Sequence, residues 1–360
     1  DVDAMPEGTV FFPDEPVLRI IAPLPLAQLV ETRIINILHF QILIASKAAR
    51  VALAAPGKLL VDFGLRRSHG AEAGLMAARA GFIAGLSGTS NVLAGMDYNI
   101  PVFGTMAHSY ILAHDSEKDA FLHYARSHPD NVVLLIDTYD TERAAEKVVA
   151  IAPQLKADGI VIRGVRMDSG DLAEHAGKVR KILNQGGLSE TTIFASGNLD
   201  EYKLAEIERR NAPIDGYGIG TRMNTSSDAP YLDCAYKLQE YAGIPRRKTS
   251  EGKATWPGQK QVYRHFTDGI MTHDEITTEA DLRNGKPLIE AVMRNGELLS
   301  ASPSPNVIRE RVKRKLATLP EHLRSLERAQ PYPVEISDAL KRLAREADAR
   351  AGQPHEIVRE

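Results

Sequence analysis

NVVLLIDTYDTERAAEKVVAIAPQL, residues 131–155, decides the fold class. It opens on an apolar run, Val132 to Ile136, with no polar alternation. Such a run suits a strand buried on both faces. Asp137 to Asp140 interrupt it. The rest has helical spacing, with Ala144, Val148, Ile151 and Leu155 on one stripe. Strand, polar loop and amphipathic helix make one βα unit. The unit recurs. KLLVDFG (58–64) leads to AEAGLMAARAGFIAG (71–85), and IPVFGT (100–105) to SEKDAFLHYARSH (116–128). GIVIRGVR (159–166) leads to DLAEHAGKVRKILNQGG (171–187), and TTIFASG (191–197) to LDEYKLAEIERRN (199–211). DGYGIGTR (215–222) closes the series. This alternation predicts a parallel α/β sheet.

Unusual residues fall at every strand end: FGLRR (63–67), GTMAH (104–108), DTYD (137–140), RMDSGD (166–171), SGNLD (196–200) and GIGTR (218–222). In a parallel barrel those ends share one mouth. An open doubly wound sheet gathers its site only at the switch point. Polar content at all six favours an irregular, TIM-like α/β barrel. The flanks read differently. A strand over 16–23 and a helix from Leu26 to Leu53 precede the barrel. After Tyr231 the pattern turns polar and hairpin-like, through KQVYRHF and KPLIEAVMRNGELL. Pro320 to Arg328 and Val334 to Ala351 read as helices, the first with proline where a helix can start. Residues 57–230 would form the barrel. Residues 1–56 and 231–300 would flank it, followed by C-terminal helices over 301–360.

Bulk properties narrow the function. At 360 residues the chain has room for two domains. A net charge of -3 offers no basic field for nucleic acid. With Cys234 as its one cysteine, the chain can form neither an internal disulfide nor a thiolate metal cluster, and a reducing cytoplasm fits. Charges interrupt the longest apolar stretches, so no membrane span is expected, and no signal peptide is visible. The start at Asp1, without methionine, reads as truncated or processed.

Several acids have ordinary explanations. Asp140 before TERA and Asp200 before EYKL suit helix N-caps. Capping does not require DSGD, two acids around Ser-Gly after an arginine. Asp137, Asp168 and Asp171 could hold Mg²⁺ beside a phosphate substrate. Gly197, Gly218 and Gly220 permit close backbone approach, as at the phosphate site of late barrel strands. No histidine or cysteine cluster suits zinc. No strand end carries a lysine, which disfavours Schiff-base chemistry. A histidine such as His108, in GTMAHSYI, is by itself more often an idle loop or core residue.

Taken together, VDFGLRRSHG, GTSNV, PVFGTMAHS, DTYD, RMDSGDL, SGNLDE, GYGIGTRM and KTSEGKATWPGQKQVYR resemble nicotinate phosphoribosyltransferases, in order and over most of the chain. The resemblance implies transfer of phosphoribose from 5-phosphoribosyl 1-pyrophosphate to nicotinate, coupled to ATP hydrolysis, with Mg²⁺. It implies an irregular α/β barrel beside a mixed domain, and a homodimer with shared active sites. His108 would be the histidine phosphorylated from ATP. Phe63 would stack on the pyridine ring, Arg66 meet phosphate or the ring carboxylate, and Arg166 sit near that carboxylate. Asp168 would contact the ribose hydroxyls. Asp137 would support magnesium or the phosphohistidine. Gly197, Gly218 and Gly220 would seat the 5-phosphate. The basic stretch with Arg246, Arg247, Lys248, Lys253, Lys260 and Arg264 would clamp anions in the neighbouring subunit's site, Lys248 and Lys253 foremost. The family also carries a tyrosine in an N-terminal segment that this chain starts too late to contain.

Three alternatives compete. Nicotinamide-specific relatives carry an aspartate where Ser90 stands, and an acid there would repel a carboxylate substrate. A magnesium-dependent sugar-phosphate aldolase or isomerase explains the glycines and acids but gives GTMAHS no role. A nucleotide-binding regulator without turnover is the third.

Overall fold

Six short strands lie side by side in one all-parallel sheet in the computed structural model, which describes residues 1–351. Their spatial order is Gly88–Thr89, Leu59–Asp62, Gly216–Ile219, Thr192–Ser196, Ile162–Met167 and Val132–Leu135. The apolar runs form strands because helices bury them: Val61, Leu134, Leu135, Val165, Ile193, Ala195, Tyr217 and Ile219 are fully enclosed. The Ala144–Val148–Ile151–Leu155 stripe, on helix Thr141–Ala157, joins the same core. Asp140 and Asp200 do cap helices, accepting from the backbone N–H groups of Arg143 and Lys203 at 2.9 Å each.

The sheet curls into a half-barrel, where the sequence suggested an irregular α/β barrel. Its hydrogen-bond ladder ends at Gly88–Thr89 on one side and at Val132–Leu135 on the other. The Ile100–Phe103 run, read as a further strand, makes one parallel bridge, Thr89 with Val102. Pro101 lacks the N–H that would extend the ladder.

The chain divides into two compact units. Residues 40–231 carry the parallel sheet; residues 1–39 and the described residues from 232 onward form the other. The second unit holds two four-stranded sheets. One runs Glu297–Leu298, Glu290–Arg294, Val2–Ala4, Leu18–Ile20, all antiparallel. The other runs Lys286–Pro287, Lys260–Thr267, Ile270–Thr278, Val334–Ile336. Val334–Ile336, expected to be helical, pairs parallel with Ile270–Thr278. The helix starts only at Asp338, where Ser337 Oγ accepts from the N–H of Leu340 at 3.1 Å. Pro320 to Arg328 yields one turn, Glu321–Arg324. Helix Pro305–Ala317 falls within the span expected to be helical, with Ile308 as its one buried residue.

The long N-terminal helix is broken at Val30 into Leu24–Leu29 and Glu31–Ala54. By length and composition the 24-residue Glu31–Ala54 could cross a bilayer, contrary to the sequence reading. Its C-terminal half behaves as a core helix: Ile44, Ala48 and Val51 are fully buried, and Lys47 pairs with buried Glu201 at 2.9 Å.

In the second unit Arg264 and Asp274 are wholly buried as a pair, with Nε to Oδ1 at 2.9 Å and Nη2 to Oδ2 at 2.5 Å. Tyr332 donates to Asp274 Oδ1 at 3.1 Å and stacks on Phe12. Glu15 lies against this pair. Its Oε2 accepts from the N–H of Phe12 at 3.0 Å, while Oε1 is buried and meets no donor. Burial, with Asp274 alongside, pushes the Glu15 carboxyl up to about 9. Between its ordinary 4.5 and about 9 the folded chain therefore holds a proton that the unfolded chain releases. The stabilisation is full at the acid end and is lost as pH rises through that window. Glu15→Gln, which keeps the neutral form, should flatten this decline. Its Tm should exceed wild type at pH 8 by at least ~2–4 °C, the shift that one kcal/mol produces in a domain of 150–250 residues, and by less at pH 5. Differential scanning calorimetry at the two pH values reads it out.

Candidate active site

Every strand of a parallel sheet points its carboxyl end the same way, and here those ends assemble a polar cluster. Asp168, one residue past strand Ile162–Met167, is its centre. Its Oδ1 lies 3.1 Å from His108 Nε2, and its Oδ2 accepts from Arg166 Nη2 at 3.3 Å. Its N–H donates to Asp137 Oδ2 at 2.9 Å, and Ser169 Oγ donates to the same oxygen at 2.6 Å. Desolvation raises the Asp168 pKa, but hydrogen bonding with Asp137 and His108 and the Arg166 charge outweigh it. The carboxyl stays below its usual range and ionised at neutral pH.

His108 opens the short helix His108–Leu112. Nε2 faces the two carboxylates, with Asp137 Oδ1 at 3.9 Å, and Nδ1 lies 3.1 Å from Thr138 Oγ1. An ionised Asp168 selects the tautomer protonated on Nε2, which leaves the Nδ1 lone pair towards Thr138. Asp137 Oδ1 is buried and accepts no hydrogen bond. His108, Asp137 and Asp168 each present a donor atom within 4.8 Å of the others.

Arg166 is fixed on three sides: Nε donates to Ser196 Oγ at 3.0 Å, Nη1 to Thr105 Oγ1 at 2.6 Å, and Nη2 to Asp168. Its guanidinium lies 5.3 Å from the Phe63 ring centre, within cation–π range. Burial lowers its pKa despite Asp168 and Asp137, and the Arg66 charge acts in the same direction. Arg66 itself lies on the exposed turn Leu65–Arg67. Ser90 joins this side of the site, its N–H donating to the Asp62 carbonyl at 2.8 Å.

The glycines have local reasons. Gly197 has φ +105°, and a Cβ there would lie 2.0 Å from the Asp168 carbonyl oxygen. At Gly218 a Cβ would sit 2.6 Å from the Phe63 ring. Gly220 precedes the turn Thr221–Asn224 at the end of strand Gly216–Ile219. Beside Asp168 and Gly197 opens a cleft of about 460 Å³, lined also by Asn198, Lys203 and Arg210.

Some sequence assignments change. Asp171 is an N-cap, accepting from the Glu174 N–H at 3.0 Å, and pairs with Arg210 at 2.9 Å. It stands outside the group of metal-capable residues. The basic stretch is not one solvated face. Arg264 is buried on Asp274, Arg247 pairs with Asp348 at 3.3 Å, and Lys260 donates inward to the carbonyls of Trp256 and Gly258. Arg246, Lys248 and Lys253 stay exposed. The sequence reading gave no role to Thr105, Thr138 or Ser196, although all three lie within its quoted strand-end motifs. It also passed over Asp62 and Thr89.

An imidazole, two carboxylates and a guanidinium above the carboxyl ends of a parallel sheet define an enzyme of the α/β class. Comparison with known proteins narrows it. The model of the nicotinate phosphoribosyltransferase (NAPRTase) family matches residues 59–245, and that of the family's C-terminal domain matches 277–344. The nicotinate phosphoribosyltransferase pncB2 of Mycobacterium tuberculosis is 45% identical over 99% of this chain and 77% of its own length. The Bacillus subtilis nicotinate phosphoribosyltransferase is 36% identical over 93% of the chain and 74% of its own. The crystal structure of human nicotinic acid phosphoribosyltransferase matches with a TM-score of 0.85 at 27% identity, covering 96% of this chain and 82% of that one. This chain belongs to the nicotinate phosphoribosyltransferase family.

The Gly197 contact gives a direct test. In Gly197→Ala the strained φ and the clash with the Asp168 carbonyl should together cost about 2–4 kcal/mol. The site loop must shift, so kcat/KM should fall at least ~10-fold. Steady-state kinetics beside a melting curve checks it; full activity would mean that the Asp168 backbone can retreat freely.

Proposed function

We propose that this chain transfers phosphoribose from 5-phosphoribosyl 1-pyrophosphate to nicotinate, in NAD salvage, and couples the step to ATP through His108. The observation that carries the reading is Asp168, ionised and in contact with both His108 and Arg166. In the transfer, the bond from the sugar carbon to pyrophosphate breaks and the pyridine nitrogen takes its place. Positive charge grows on the sugar carbon, and a fixed carboxylate at Asp168 stabilises it. Phe63 offers an aromatic face to the pyridine ring. Arg166, with Arg66 nearby, supplies positive charge for the ring carboxylate, and its planar fork suits two oxygens. Ser90, uncharged, favours the acid over its amide; this is the feature that sets nicotinamide aside. Gly197, Gly218 and Gly220 would leave space for the sugar phosphate.

His108 would act as a nucleophile. The Nδ1 lone pair attacks the γ-phosphorus of ATP, an N–P bond forms, and ADP leaves. Asp168 holds the Nε2 proton, and Asp137, 3.9 Å away, helps to offset the charge on the ring. Water later takes the phosphoryl group. Magnesium would be held by Asp137, whose Oδ1 is buried without a donor. Asp168 would assist, and substrate phosphates and water would complete the shell, the oxygen-rich setting this ion favours. When bound, the ion would neutralise phosphate charge. A homodimer would place the exposed Lys248 and Lys253 at phosphates in the other subunit's site.

Two variants test these roles. Arg166→Ala should cost nicotinate ~2–5 kcal/mol in kcat/KM, the range for truncating one member of a desolvated charge pair. Nicotinamide, tested in parallel, should lose far less. Equal losses would remove Arg166 from carboxylate recognition. His108→Ala should abolish ATP hydrolysis and acid-labile labelling by γ-phosphate-labelled ATP. It should leave slow, ATP-independent formation of nicotinate mononucleotide. Turnover still stimulated by ATP in that variant would exclude His108 from coupling.

A further inference from the structure

Asp62 ends the strand Leu59–Asp62, one residue before Phe63, and is 1% exposed. Among the described residues no cation pairs with it, and burial pushes its carboxyl above the usual range. Isolated burial of a carboxylate is costly unless its oxygens are satisfied. Here each oxygen is committed to a different loop. Oδ1 accepts from the N–H of Gly64 at 2.8 Å, and Oδ2 accepts from Thr89 Oγ1 at 2.8 Å. The Asp62 carbonyl takes the Ser90 N–H, also at 2.8 Å. Thr89, itself fully buried, uses the same hydroxyl to accept from the Asn91 N–H at 3.0 Å. From the other side the buried Asn224 closes on Gly64, where a Cβ would lie 2.1 Å from its side chain. Phe63 is tied between these points, its N–H donating to the Ile219 carbonyl at 2.7 Å.

We infer that Asp62 is a positioning residue, which through Gly64 and Thr89 sets the separation of the Phe63 loop from the Ser90 loop and thereby the width of the nicotinate slot. The inference rests on the reading above that Phe63 and Ser90 face the pyridine ring. Asp62 touches no substrate. Its effect belongs to base recognition and not to the sugar phosphate, whose proposed contacts lie at Gly197, Gly218 and Gly220. The carboxylate meets both loops with one short side chain, accepting from the Gly64 N–H with one oxygen and from the Thr89 hydroxyl with the other.

Removing Asp62 outright invites unfolding, so the bridge is best cut at its far end. Thr89→Val keeps shape and volume and deletes the hydroxyl. It should raise the KM for nicotinate about tenfold, in keeping with the loss of one buried hydrogen bond to a charged group. The KM for phosphoribosyl pyrophosphate should stay within about twofold. Thr89→Ser, which restores the hydroxyl, should return the nicotinate KM to near wild type. A purely structural role would shift both KM values or neither. Phe63→Ala, run alongside, separates the two ideas. If it leaves the nicotinate KM unchanged, the base slot is elsewhere and the inference falls with it. If Phe63→Ala raises that KM while Thr89→Val does not, or if serine fails to rescue, the slot stands and the positioning role of Asp62 is wrong.

Discussion

The two oxygens of Asp168 hold the active site together. One meets His108, from a helix beyond the Ile100–Phe103 segment, and the other meets Arg166 on its own strand. Its backbone N–H reaches Asp137 on the neighbouring strand end, and its carbonyl presses on Gly197 of the next. Three other strand-end segments thus converge on one residue. A parallel sheet makes this possible, because all carboxyl ends open on the same side and adjacent strands hold a fixed separation. The exposed alternative, a carboxylate on a mobile loop, would lose its geometry to thermal motion before it could orient an imidazole.

Buried charge recurs throughout, and each case is resolved locally. Arg264 meets Asp274 through two nitrogens and shares it with Tyr332. Lys47 bridges Glu201 and Asp228, tying the long N-terminal helix to the start of helix Glu201–Arg209. Glu15 takes a different course and keeps its proton. Asp62 relies on uncharged donors, the Thr89 hydroxyl, the Gly64 N–H and the Asn224 side chain. Except at Glu15, the desolvation penalty is offset by directional bonds, so removing one partner harms more than replacing the whole arrangement would.

Much of the architecture was legible in the sequence. Non-alternating apolar runs such as Val132 to Ile136, each followed by a helical stripe, state a parallel sheet directly. The acids at 140 and 200 announced their helices. Reading failed where local signals conflict. Val334–Ile336 borders a helical pattern, and its strand exists because an edge of Ile270–Thr278 is there to pair with. How far the sheet curls depends on edge pairing that no single segment encodes.

By itself, the sequence determined which polar residues stand at strand ends, among them His108, Asp137, Arg166 and Asp168; the roles expected of them came from a resemblance. Only the tertiary structure decided how each acid is used. Asp168 and Asp171 differ by three positions in one motif, yet the first contacts His108 while the second caps a helix and pairs with Arg210. Asp62 drew no attention, for a carboxylate at the end of an apolar strand looks like an exposed loop acid until its neighbours are placed. Arg264 read as part of a basic stretch, and burial gave it to Asp274. The physical reason is common to all three. A charged side chain's role follows from its solvation and its partners. Those partners are remote in sequence, and folding alone brings them within a few ångströms.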